Sequence, residues 1–145
     1  CLLGACYAGA NEEVQQRLQS YGRYLGRAFQ IADDLLDIEG EEAVVGKSVG
    51  TDIADGKVTL PVLHAWRSAD SVGRAAIEAA YLDTDCADRR RALREACDLA
   101  KGCEQARARA DELIASAQSR LLHLPANEMR LSLERVLEFT LERRS

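Results

Sequence analysis

Three carboxylates, Asp33, Asp34 and Asp37, stand within five positions of one another in FQIADDLLDIEG, Phe29 to Gly40. The stretch otherwise has the spacing of an apolar helix. Each helical residue turns about 100°, so with Asp33 at zero, Asp37 falls at roughly 40°, Gln30 at roughly 60° and Asp34 at roughly 100°. Gly26 lies on the same arc one to two turns earlier and leaves room there for a ligand. Like charges at this spacing cost a few tenths of a kcal/mol per pair in water and more in a dry site. A divalent cation would remove that cost. The donors are hard oxygens with no His or Cys nearby, which suits Mg²⁺, Mn²⁺ or Ca²⁺ better than Zn²⁺. The spacing is not that of a Ca²⁺ loop, and Mg²⁺ takes one or two carboxylates, completing its shell with water and substrate phosphate. An acidic cluster can also be a solvated helix face, and DDLLD alone leaves both readings open.

The next stretch bears on that choice. In GKSVGTDIADGK, Lys47 and Lys57 each follow a glycine, with Asp52 and Asp55 between them. Two lysines on a glycine-rich segment just after a carboxylate cluster suit a metal-bridged diphosphate, held by the cation on one side and ammonium groups on the other. Gly46-Lys47-Ser48 copies only the last three letters of a P-loop, which does not occur here.

The elements that must position these residues are helical. There are only two prolines, Pro61 and Pro125, and no β-branched runs, so the chain reads as all-α. A long helix is expected from Glu12 to Asp37, with Val14, Leu18, Tyr21, Leu25, Ala28, Ala32 and Leu35 on one seam. Gly40, Gly46, Gly50 and Gly56 mark a loop, and helix resumes near Pro61, which suits a first turn. Further helices are expected over about 72–81, 86–101 and 104–122. A last helix after Pro125 carries Met129, Leu133, Val136, Leu137 and Thr140 on one face.

Bulk properties narrow the class. One domain is the default for 145 residues. A net charge of -5 without a basic block disfavours nucleic acid, and no apolar run is long enough to span a bilayer. Five cysteines without a CxxC pair suggest reduced thiols and a cytoplasmic setting. His64 and His123 stand alone and are not expected to bind metal.

With these residues in view, GRAFQIADDLLDIEG followed by VGKSVGTDIADGKVTLP resembles the second aspartate-rich region of the trans-isoprenyl diphosphate synthases, or polyprenyl synthetases. The likeness is dense from Tyr21 to Pro61 and weak over 62–100. LGACYAGA and LLHLPANEMRLSLERVLEFTLERR resemble the flanking and closing helices. The resemblance implies an all-α bundle of the isoprenoid-synthase type around a deep cavity, usually a homodimer. It implies Mg²⁺ held by Asp33, with Asp34 and Asp37 as direct or water-mediated partners and Asp52 supporting the shell. Lys47 and Lys57 would neutralise diphosphate oxygens, Gln30 would face the reacting carbons and Phe29 would line the cavity. The implied reaction condenses an allylic diphosphate with isopentenyl diphosphate.

The family uses two facing aspartate-rich motifs, and this sequence carries one. The expectation is therefore a C-terminal half, a single incomplete domain over 1–145, inactive alone and associating with the missing half or with itself through bare helix faces. Two other readings stand beside it. Terpene cyclases share the fold but carry a different second metal motif. A non-catalytic helical subunit that binds or modulates a complete synthase would not need Gln30, Asp33, Asp37, Lys47 and Lys57 intact.

Overall fold

The computed structural model describes residues 1–39, 50–83, 86 and 88–142, with side chains to Thr140. Every regular element among them is a helix: α1 (Leu2–Tyr7), α2 (Glu12–Glu39), α3 (Thr51–Ala54), α4 (Leu60–Ser68), α5 (Ser71–Leu82), α6 (Arg89–Ala96), α7 (Leu99–Leu121) and α8 (Glu128–Glu142). By contacts the chain divides into two compact units, residues 1–32 with 109–145, and residues 33–108.

In the first unit, the expected long helix forms. Asn11 starts it by accepting from Val14 N at 2.9 Å, satisfying one of the orphan donors of a helix N-terminus. Its seam turns inward, with Tyr21 and Ala28 fully buried. The Tyr21 hydroxyl, which could not be left dry without a partner, donates to Leu133 O at 2.9 Å. Ala110, Leu113, Ile114, Ala117 and Leu121 of α7 supply the matching apolar row. Asn127 caps α8 through Arg130 N at 3.0 Å. On α8 the expected face is only half realised: Leu137 and Thr140 are buried, whereas Met129 and Val136 are exposed. Leu3, Tyr7 and Phe139 are exposed as well.

In the second unit, Leu35 and Ile38 of α2 join a core with Ile53, Val62, Ala65, Ile77, Ala80, Leu93, Cys103 and Ala106. Pro61 sits in the first turn of α4, as its missing N–H allows. Gly102 lets α7 approach α4 closely, since a Cβ there would lie 2.3 Å from Pro61 O. Trp66 of α4 donates from Nε1 to Glu78 at 2.9 Å, and Arg74 stacks over its ring at 5.2 Å. α5 packs on α6, and α6 reaches α3.

The helix expected over 86–101 is two helices. α6 ends at Ala96 and α7 begins at Leu99. Asp98 accepts from Lys101 N at 3.0 Å, and that cap restarts the helix.

Candidate active site

The acidic end of α2 belongs to the second unit, where its carboxylates differ sharply in surroundings. Asp37 is 5 % exposed. Its Oδ1 accepts from Thr51 N at 3.2 Å and from Thr51 Oγ1 at 2.9 Å, and its Oδ2 accepts from Asp52 N at 3.0 Å. The Asp37 carbonyl accepts from Gly50 N at 2.6 Å. One residue of α2 therefore satisfies the first free donors of α3 and fixes where that helix starts. The chain reaches this position through Gly50 at φ 81°, a left-handed conformation that favours glycine.

Asp34 is also buried, and Lys57 is a cation that faces it. The ammonium lies 3.5 Å from Asp34 Oδ1 and donates to Asp52 Oδ2 at 2.8 Å. The hydrogen bond to Asp52 holds the Lys57 pKa above the usual lysine range, with the charge of Asp34 acting the same way. Lys57 reaches this place because Gly56, at φ 76°, turns the chain out of α3, and Lys57 N then donates to Asp52 O at 2.8 Å. About half of its side chain remains open to solvent, so an incoming anion can meet it.

The sequence-predicted residues thus divide. Asp34, Asp37, Asp52 and Lys57 are brought together by α2 and α3. Asp33 lies on the same helix beside them and is half-buried. Phe29 and Gln30 are exposed on α2 within the first unit. Gly26 faces open space, where an added Cβ would meet nothing within 4 Å. Lys47 lies outside the described residues. The three-bond role of Asp37 was not visible in the sequence, which showed only its charge. Arg89 and Arg90 also border this region: a Cβ added at Gly50 would meet the side chain of Arg90, and one added at Gly56 that of Arg89.

Among the described residues, no group of three or more His, Cys, Asp or Glu side chains is placed to hold a metal ion. The donor set nevertheless fits magnesium, which binds through one or two carboxylates and takes its other ligands from water and phosphate. Asp33, Asp34 and Asp52 supply only oxygen, and the ammonium of Lys57 marks where positive charge is favoured between two of them.

The helices and their order define an all-α fold of the isoprenoid-synthase type. A polyprenyl synthase from Caulobacter crescentus CB15, solved with calcium and isoprenyl diphosphate, matches 99% of the chain at 33% identity with a TM-score of 0.80. A geranylgeranyl pyrophosphate synthase from Corynebacterium glutamicum, solved with isoprenyl diphosphate and magnesium, matches 98% at 28% identity with a TM-score of 0.77.

The sequence pattern of the polyprenyl synthetase family matches residues 1–99, and the chain belongs to that family. The heptaprenyl diphosphate synthase component 2 of Geobacillus stearothermophilus is 42% identical over 130 residues, 90% of this chain. That alignment takes in 40% of the relative, and the two structural matches take in 44% and 41% of theirs. The chain thus spans about two fifths of the length of these relatives.

Proposed function

We propose that this chain carries the second aspartate-rich half of an isoprenyl diphosphate synthase, a magnesium-dependent prenyltransferase that joins an allylic diphosphate to isopentenyl diphosphate. The observation that supports this reading most directly is the placement of Lys57 between Asp34 and Asp52, with Asp37 anchoring the segment that carries two of the three. Carboxylates alone would repel a diphosphate, and a lysine alone would not hold a metal. Together they suit a metal-bridged anion.

Bound at Asp33, Asp34 and Asp52, magnesium would neutralise diphosphate oxygens and favour departure of the leaving group. Lys57 and Lys47 would bind the oxygens from the other side as ammonium groups, Asp52 holding the Lys57 pKa above its ordinary value. Asp37 acts through position: it holds Asp52, and with it Lys57, at a fixed distance from Asp34. Such preorganisation lets the charges act without reorganising when the allylic bond breaks. No protein nucleophile is needed. The alkene of isopentenyl diphosphate attacks the allylic cation, and the released diphosphate takes the proton that then leaves. Phe29 and Gln30 would lie toward the hydrocarbon.

One carboxylate cluster grips a diphosphate from one side, so the 145-residue chain by itself gives no detectable prenyl transfer. Activity requires a polypeptide segment bearing a second cluster. Exposed Leu3, Tyr7, Met129 and Phe139 in the first unit offer apolar surface for such a partner or for self-association. The name component 2 of the Geobacillus relative carries the same suggestion for an assembly of unlike parts.

Titration calorimetry with magnesium and an allylic diphosphate tests the site. The wild-type chain binds the pair, and Asp33→Ala binds it at least several-fold more weakly. Equal binding by the two removes the metal role. Robust turnover by the pure chain, or a clean monomer in sedimentation at micromolar concentration, would overturn the parts of the reading concerned with a missing cluster and with association.

A further inference from the structure

The weakly matching stretch beyond Pro61 contains two adjacent arginines, Arg89 and Arg90, whose contacts converge on the segment carrying Asp52 and Lys57. Asp88 caps α6 by accepting from Arg91 N at 3.0 Å, which starts the helix so that both arginines point back toward α3. Arg89 donates from Nε to Ala80 O at 2.8 Å and from Nη2 to Asp83 O at 3.2 Å, at the end of α5. Its Nη1 donates to Ile53 O at 3.3 Å and also to Ala54 O, at the end of α3. One planar guanidinium therefore bonds the terminal carbonyls of two helices, where partial negative charge collects. Arg90 donates from Nη2 to Ile38 O at 3.3 Å, near the end of α2, and lies against Gly50, where a Cβ would come within 3.0 Å of its Nη1. The Tyr81 hydroxyl donates to Lys57 O at 3.3 Å, and its ring lies under Arg89 at 5.8 Å.

The stretch 50–57 is thus held at its middle and its end by side chains of α5 and α6, and Arg90 lies beside its start. Asp37 holds it from the α2 side. A four-residue helix is too short to be stable by itself, so these bonds and the burial of Ile53 are what position it.

We propose that Arg89 is a positioning residue for the diphosphate site. It fixes the end of α3, and so fixes where Asp52 and Lys57 stand relative to Asp34. The inference rests on the reading of the acidic cluster as a magnesium–diphosphate site. The fork geometry is what matters: a lysine ammonium is a compact charge that can reach one helix end but not both.

The experiment compares the full 145-residue chain with Arg89→Lys and, as a control, Arg91→Lys, whose side chain is exposed and pairs only at 3.7 Å with Glu95. Two quantities are read. The first is hydrogen exchange at the amides of Ala54, Asp55, Gly56 and Lys57, all bonded within the segment. The second is the affinity for magnesium with inorganic pyrophosphate. Loss of the fork shared by two helix ends is expected to speed exchange at those four amides about tenfold and to weaken binding about tenfold. Exchange at Ala117 and Leu121 should not change, and Arg91→Lys should match wild type in both measurements. Unchanged exchange at 54–57, uniform acceleration in both units, or selective loosening with unaltered affinity would each overturn the proposal. A wild-type chain that binds no magnesium pyrophosphate would overturn the functional reading instead. The exchange pattern then judges the clamp alone, a selective loss at 54–57 supporting it and an unchanged pattern refuting it.

Discussion

Replacing Asp37 by asparagine keeps the shape of the side chain and removes its charge. The remaining oxygen can still accept from Thr51 N and Oγ1, now as a neutral acceptor. The new amide group would face Asp52 N–H, setting donor against donor where the carboxylate accepted at 3.0 Å. A hydrogen bond to a charged group contributes about 1.5–3 kcal/mol, and neutral ones about half as much. The Asp52 side chain is about a quarter exposed, so water offsets part of the loss. Relief of repulsion against Asp33 and Asp34 returns only a few tenths of a kcal/mol per pair. The net expectation is a loss of about 2 kcal/mol, or roughly thirtyfold more frequent opening of the segment. Asp37→Ala, which removes all three bonds, should cost about 3 kcal/mol or more. Urea unfolding in magnesium-free buffer, with exchange of the Thr51 and Asp52 amides, measures both. If Asp37→Asn is as stable as wild type or more so, Asp37 is merely a repelled charge and the anchoring role assigned to it is wrong.

Gly102→Ala should destabilise the chain by about 1–3 kcal/mol, because the new methyl meets the Pro61 carbonyl and backbone has to move; a melting temperature like that of wild type would show that α7 and α4 can separate freely. Lys57 should keep its proton beyond pH 10.5, and Asp52→Asn should lower its titration midpoint, as followed by the NMR shift of its Cε. The sign is that of a raised pKa: the stability from the pair is fully present below the unfolded value and disappears as pH rises through the folded one. An unmoved midpoint in Asp52→Asn would mean that the 2.8 Å contact carries no electrostatic weight. Burial pushes the Cys103 thiol up to about 12, so it should stay unmodified by maleimide at neutral pH in the folded chain while exposed Cys1 and Cys6 react. Mass spectrometry of the labelled peptides decides it.

Much of this fold was legible because helices announce themselves locally. The alternation of three and four along Val14 to Leu35 predicted a single long helix; Tyr21, Ala28, Ala32 and Leu35 of that seam are buried, Val14, Leu18 and Leu25 only half-buried, and Ile31 and Ile38 are buried outside it. Pro61 marked the first turn of α4 for a steric reason that needs no partner. The break at Cys97–Asp98 was missed although Asp98, just before Leu99, is an ordinary cap signal; the apolar run on either side outweighed it. The candidate site was legible as composition. Aspartates and glycine-preceded lysines at that spacing suggested metal and diphosphate, and Asp34, Asp52 and Lys57 do meet. What stayed hidden was the division of labour. Asp37 bonds to residues fourteen and fifteen positions away, and only the folded chain shows it as an anchor. The same holds for Arg89, which in sequence is one letter in a run of arginines and in the structure bonds a helix end more than thirty positions away.

Trp66 is the chain's single tryptophan, and it lies wholly within residues 33–108. Its emission is therefore a private optical channel for that half of the molecule, while ellipticity sums over every helix. Recording both along one denaturation curve asks whether the two halves melt as one cooperative body. Coincident curves would mean that damage anywhere in the chain is felt at the acidic end of α2. Separated curves would make the candidate site a module with a melting point of its own.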